Sequence, residues 1–131
     1  MEIHFKIIGF LLIVLAFVHV IFPKYFNWKI ELASLSLINK QMMTVHTLFI
    51  AITVLLMGIL CVSSACELLE TNLGKKICLG LGIFWTIRFL VQFFGYSSEL
   101  WRGKRFETTM HILFALLWAY ISTIFLMAYF K

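Results

Sequence analysis

The chain is predicted to be an all-α integral membrane protein, a four-helix transmembrane bundle with short loops, and three observations predict it. Of 131 residues, 63% are hydrophobic and only 13% are charged, and the mean hydropathy is +1.00. A soluble domain carries about twice that share of charge. The apolar residues form four runs, about 5–22, 42–65, 77–94 and 108–130, each near or above the ~20 residues a transmembrane helix needs. Too little chain lies outside them for a separate soluble domain, so residues 1–131 are expected to form a single transmembrane domain.

The first run, from Phe5 to Phe22, ends at Pro23. Its end, Val20-Ile21-Phe22, is bulky and lacks the small residues of a signal-peptide cleavage site, so it is expected to stay as a span. Residues from Pro23 to Gln41 form the one connection with room for structure of its own. Trp28, Ile30, Leu32, Leu35 and Leu37 make it amphipathic without a clean helical or strand period, which predicts an interfacial segment. The second run, from Met42 to Ala65, and the third, from Ile77 to Phe94, flank a short connection. The fourth runs from Thr108 to Phe130. Backbone polar groups cannot stay unpaired in lipid, so all four runs should be helices, and short loops make successive helices antiparallel neighbours.

The net charge of +5 resides at helix ends. Lys24, Lys29 and Lys40 lie in one connection and Arg102, Lys104 and Arg105 in another, with Tyr25, Trp28, Tyr96 and Trp101 among them as an interfacial aromatic belt. No separate basic surface exists for nucleic acid, which is excluded as a partner. The face holding those six basic residues outweighs the opposite one, with Lys6, Lys75, Lys76 and Lys131, by six to four. The positive-inside rule then turns it to the cytoplasm and puts both termini outside.

Three histidines fall at matching depth on three runs. His19 precedes Pro23 by four residues, His46 follows Gln41 by five, and His111 follows Glu107 by four. With four antiparallel crossings these boundaries share one side of the bilayer. At 1.5 Å per residue each histidine then lies roughly 6–8 Å inside it. The third run returns to that side near Ser97 and brings Arg88 and Gln92, four residues apart on one stripe. Ionisable groups inside a membrane mark functional sites by default. The fourth histidine, His4, belongs to the opposite surface and is read as solvated.

This constellation allows several chemistries. Three neutral imidazoles suit a transition metal with an open position, and Glu107, one turn before His111, is placed to orient that ring from behind. Haem is the second metal reading, with two histidines as axial ligands and Arg88 on a propionate. Either implies a redox or metal-handling role, with Gln92 as a ligand or orienter. No H-E-x-x-H pattern supports it, and Gly9, Gly58, Gly80 and Gly82, which would make room for a macrocycle, all lie toward the other leaflet. Arg88, about nine residues or roughly 13 Å before Ser97, needs either Glu107 as an ion-pair partner or an anionic ligand. An anionic lipid, a fatty carboxylate, a propionate or a quinone oxygen would serve. Two alternatives avoid metal: a binder of a quinone or lipid, and a non-catalytic subunit whose Phe-rich faces meet a larger membrane complex or a second copy of itself.

Cys61, Cys66 and Cys78 cluster around the second connection. They are read as buried thiols, with a Cys66–Cys78 disulfide as the alternative if that face is outside, and no C-x-x-C pair suggests exchange chemistry. Ser63, Ser64 and Ala65, with Gly80 and Gly82 across the loop, predict a tightly packed end opposite a more open histidine end.

Overall fold

The computed structural model describes all residues from Met1 to Lys131. It contains helices and no strands. In order these are α1 (Glu2–Tyr25), α2 (Trp28–Glu31), α3 (Leu37–Ser63), α4 (Ala65–Glu70), α5 (Asn72–Phe94), a 3-10 turn (Ser98–Leu100) and α6 (Arg105–Phe130). Four of them, α1, α3, α5 and α6, are long and apolar enough to cross a membrane. The all-α class and the number of spans are those the sequence predicts.

The helices are longer than the apolar runs, mostly at their N-termini. Thus α3 starts at Leu37 rather than Met42, and α5 at Asn72 rather than Ile77. Hydropathy marks only the part in hydrocarbon, whereas helical hydrogen bonding continues into the interface until a cap stops it. For α5 that cap is Thr71, whose hydroxyl accepts from the Gly74 N–H at 2.8 Å. Pro23 lies inside the last turn of α1 instead of ending it. Its missing N–H removes one helical bond, to the His19 carbonyl, and the chain winds on to Tyr25. The predicted interfacial segment contains the four-residue α2, entered through Asn27 in the left-handed conformation (φ 54°), which asparagine adopts more readily than most residues.

By contact the chain divides into two compact units, residues 3–65 and residues 66–131 with Met1 and Glu2. In the first unit α1 buries Ile8, Leu12, Leu15 and Ala16, a stripe at three- and four-residue spacing. The antiparallel pair α1–α3 comes close where two glycines meet. A Cβ on Gly58 would lie 2.8 Å from the Gly9 carbonyl oxygen, and one on Gly9 would lie 2.7 Å from that of Gly58. Small residues at a crossing let two backbones approach, a common device of membrane helices.

In the second unit α5 and α6 pack antiparallel along their length. Gly82 lies against Leu126, while Gly80 faces open space, so only one of the two glycines expected to allow close contact does so. Cys78 and Trp85 on α5, and Trp118, Ile121 and Phe125 on α6, are buried. No disulfide joins the cysteines. Cys78 is buried, with its thiol 3.6 Å from the Leu68 carbonyl, and Cys66 is exposed. The Cys66–Cys78 disulfide is not formed.

Large apolar side chains also cover the outside, among them Phe10, Phe17, Leu48, Leu116 and Ile112. Apolar surface on that scale is compatible with lipid and not with water. The hydroxyls of Thr47, Thr53 and Thr86 each donate to the carbonyl four residues earlier, so these side chains present no unpaired donor to lipid.

Candidate functional site

Polar chemistry concentrates in the α5–α6 pair, on the stripe the sequence singles out. Gln92 is its hub and is only 7% exposed. Arg88 Nη1 donates to Gln92 Oε1 at 3.2 Å, and Trp118 Nε1 donates to the same oxygen at 3.3 Å. The Gln92 Nε2 lies 3.0 Å from His111 Nδ1. Guanidinium and indole N–H groups can only donate, so the amide end they share is the oxygen. The other end is then the NH2 group, and it donates to His111 Nδ1. His111 is therefore neutral, with its ring proton on Nε2.

Aromatic rings enclose this network. The Arg88 guanidinium carbon lies 5.0 Å from the Trp118 ring centroid and 5.7 Å from that of Tyr96. Trp85 stacks on Trp118 at 5.0 Å and 14°, and Phe114 stacks on it at 5.7 Å. Trp101 stacks on His111 at 4.6 Å and 17°, and Phe93 meets the same imidazole edge-on at 5.6 Å. The Thr108 hydroxyl donates to the Trp101 carbonyl, which ties the 95–104 connection back onto α6 and holds that indole in place. Trp85 is 2% exposed and Trp118 3%. Trp85 Nε1 is buried without a hydrogen-bond partner.

None of the groups touching the Arg88 guanidinium is a carboxylate. A charged residue in a membrane helix costs about 2.5–3.5 kcal/mol at the bilayer centre on insertion scales. Cation–π contact returns roughly 0.5–2 kcal/mol. Arg88 lies six residues before the end of α5, about 9 Å, and its contact with Tyr96 draws the side chain toward that end.

Of the six candidate site residues, the structure joins three: Arg88, Gln92 and His111. Glu107 is exposed, and the partner on His111 Nδ1 is Gln92, so neither the expected Glu107–His111 contact nor an Arg88–Glu107 ion pair is formed. His19 uses its Nδ1 on its own helix, 2.8 Å from the Leu15 carbonyl. A carbonyl can only accept, so that nitrogen carries a proton. The His19 ring packs on Phe22 at 4.8 Å. His46 is exposed on α3.

No three His, Cys, Asp or Glu side chains gather as a metal-binding group. The chemistry around His111 points the same way: Nδ1 is occupied by an amide donor, Nε2 holds the proton, and Gln92 Oε1 already accepts twice. The metal expectation for His19, His46 and His111 therefore gains no support from the groups these residues meet.

Sequence reasoning reads Tyr96 and Trp101 as interfacial aromatics and gives Trp85 and Trp118 no role in the site. The signal was present. Trp85, Arg88 and Gln92 recur at three- and four-residue spacing along α5, with Tyr96 four residues further on just past its end, and His111, Phe114 and Trp118 do so on α6.

Fold and site together define the class: an all-helical multi-pass membrane protein with a charged, aromatic-lined polar cluster between two of its helices. Comparison with protein-family models, curated proteins and solved structures finds no match.

Proposed function

We propose that this protein binds the polar head of a membrane amphiphile, a lipid or quinone, through the α5–α6 pair. The supporting observation is Arg88, a half-buried cation on a membrane helix held by an amide oxygen and two aromatic rings instead of a counter-ion. Gln92 anchors the guanidinium, His111 supplies a second N–H, and Trp118 and Tyr96 flank the charge. In this reading the acyl or isoprenoid chain lies along the apolar outer surface of the pair. The excess of Lys and Arg at the end of the spans that carries the site supports a cytoplasmic leaflet for it, with both termini outside.

One alternative also has a specific observation behind it. The Gln92 network bridges α5 and α6, so it could serve only to fasten the helices in a non-catalytic subunit. Arg88→Gln separates the two. Protein purified in mild detergent is extracted and its co-purified lipids are counted by mass spectrometry. A binding site predicts that the wild-type protein retains a near-stoichiometric amphiphile which the variant loses while remaining folded. A fastening role predicts no retained amphiphile and a loss of stability in the variant.

A further inference from the structure

We infer that the amphiphile's head is an oxyanion, a carboxylate or a phosphate, in preference to a neutral carbonyl compound or a cation. The inference rests on the reading that the α5–α6 cluster is a binding site and names what it selects. Its basis is the direction of every hydrogen bond in the cluster.

Gln92 Oε1 is the acceptor on which the network converges, and it is used twice, by Arg88 and by Trp118. His111 Nδ1, the other acceptor, is filled by the Gln92 amide. The polar groups left over are donors: the Nε–Nη2 edge of Arg88 and Nε2–H of His111. Trp85 Nε1 is the one buried side-chain nitrogen or oxygen without a partner, so these Arg88 and His111 donors are open to a ligand. Trp85 adds a further unused N–H one turn from Arg88, on an indole stacked against Trp118. The nitrogens of Arg88, His111 and Trp85 thus offer a ligand N–H groups and no free lone pair, and the Arg88 charge repels an amine or metal cation.

Charge decides between the remaining classes. A quinone or ester carbonyl accepts hydrogen bonds but leaves the Arg88 charge uncompensated. A carboxylate or phosphate accepts the same bonds and neutralises it. The unengaged guanidinium edge offers two parallel N–H groups, which match two oxygens of one oxyanion. Trp118 and Tyr96 on the flanks limit water around the pair and so strengthen it.

The test uses the full chain in a neutral detergent at pH 8, with native mass spectrometry and quenching of tryptophan fluorescence as readouts. The probes are oleate, dioleoyl phosphatidate, methyl oleate and a short-chain ubiquinone. Oleate, phosphatidate or both are expected to bind at least tenfold more tightly than methyl oleate and the quinone, and the better of the two identifies carboxylate or phosphate. Gln92→Glu keeps the side-chain shape and gives Arg88 an internal carboxylate, so it should abolish the preference for anions. Arg88→Lys keeps the charge without the fork and should weaken it several-fold, and this second variant covers the case in which Gln92→Glu misfolds.

Equal binding of all four probes, or tighter binding of the quinone, overturns the oxyanion assignment and leaves the binding site standing. An anion preference that survives both substitutions also overturns it. No binding of any probe by folded protein overturns the binding-site reading itself.

Discussion

Gln92 shows how one uncharged side chain can organise a charged site. Its oxygen takes two donors and its nitrogen satisfies a histidine, so three groups depend on one amide. Gln92→Leu removes both ends and leaves the Trp118 and Arg88 N–H groups without their acceptor. A destabilisation of about 1–3 kcal/mol is expected, the range for orphaned buried polar groups. Trp118→Phe removes only a donor and keeps a ring, so the loss of the hydrogen bond itself should cost about 0.5–1.5 kcal/mol. Unfolding titrations in mixed micelles measure both, and equal losses would contradict the hub role of Gln92.

Cys66 gives a second test at this scale. A hydrogen bond to Glu70 and that carboxylate's charge raise its thiol pKa, because the thiolate would face a negative neighbour. Deprotonation is thus held back at pH 8. Glu70→Gln should speed alkylation of Cys66 there, with the difference shrinking as pH rises and both forms become thiolate. An unchanged rate would remove Glu70 as the cause. Sequence reasoning reads this residue as a buried thiol. Its exposure depends on where the short α4 turns the chain, which composition does not encode.

At the scale of elements, the glycines divide by what they touch and not by where they fall in the sequence. Gly58 meets the Gly9 backbone, whereas Gly80 meets nothing. Gly58→Val should therefore force α1 and α3 apart, at about 1–3 kcal/mol for overpacking. Gly80→Ala should be neutral or slightly stabilising, by up to about 1 kcal/mol of helix propensity. Thermal unfolding of the two variants in detergent compares them directly, and a larger loss at Gly80 would refute the packing argument. The boundaries teach a similar lesson. Apolar runs locate the spans, but α3 and α5 begin five residues before theirs, because interfacial backbone stays helical as long as it can hydrogen-bond internally.

For the whole molecule, sidedness is read by a labelling experiment. By the positive-inside rule, the six-to-four distribution of Lys and Arg predicts that the α4 end faces outward. Cys66 is exposed there, and Cys61 and Cys78 are buried. A membrane-impermeant maleimide added to intact expressing cells should label Cys66, and Cys66→Ser should abolish the signal. Labelling that appears only after the cells are opened would invert the topology and move the Arg88 cluster to the outer leaflet.

The sequence by itself determines the membrane class, the four spans and the Arg88–Gln92 stripe of α5. Each of these follows from local terms: the transfer free energy of a run, the length of a bilayer, the 3.6-residue turn. Tertiary structure decides which polar groups meet. It joins His111 to Gln92 rather than to Glu107, seats Trp101 on the imidazole through Thr108, and keeps His19 bonded within its own helix. Depth along a helix is readable from residue number, but the rotation of each helix about its axis is set by how neighbouring surfaces pack. That rotation brings Gln92 and His111 to one another and leaves His46 exposed on α3.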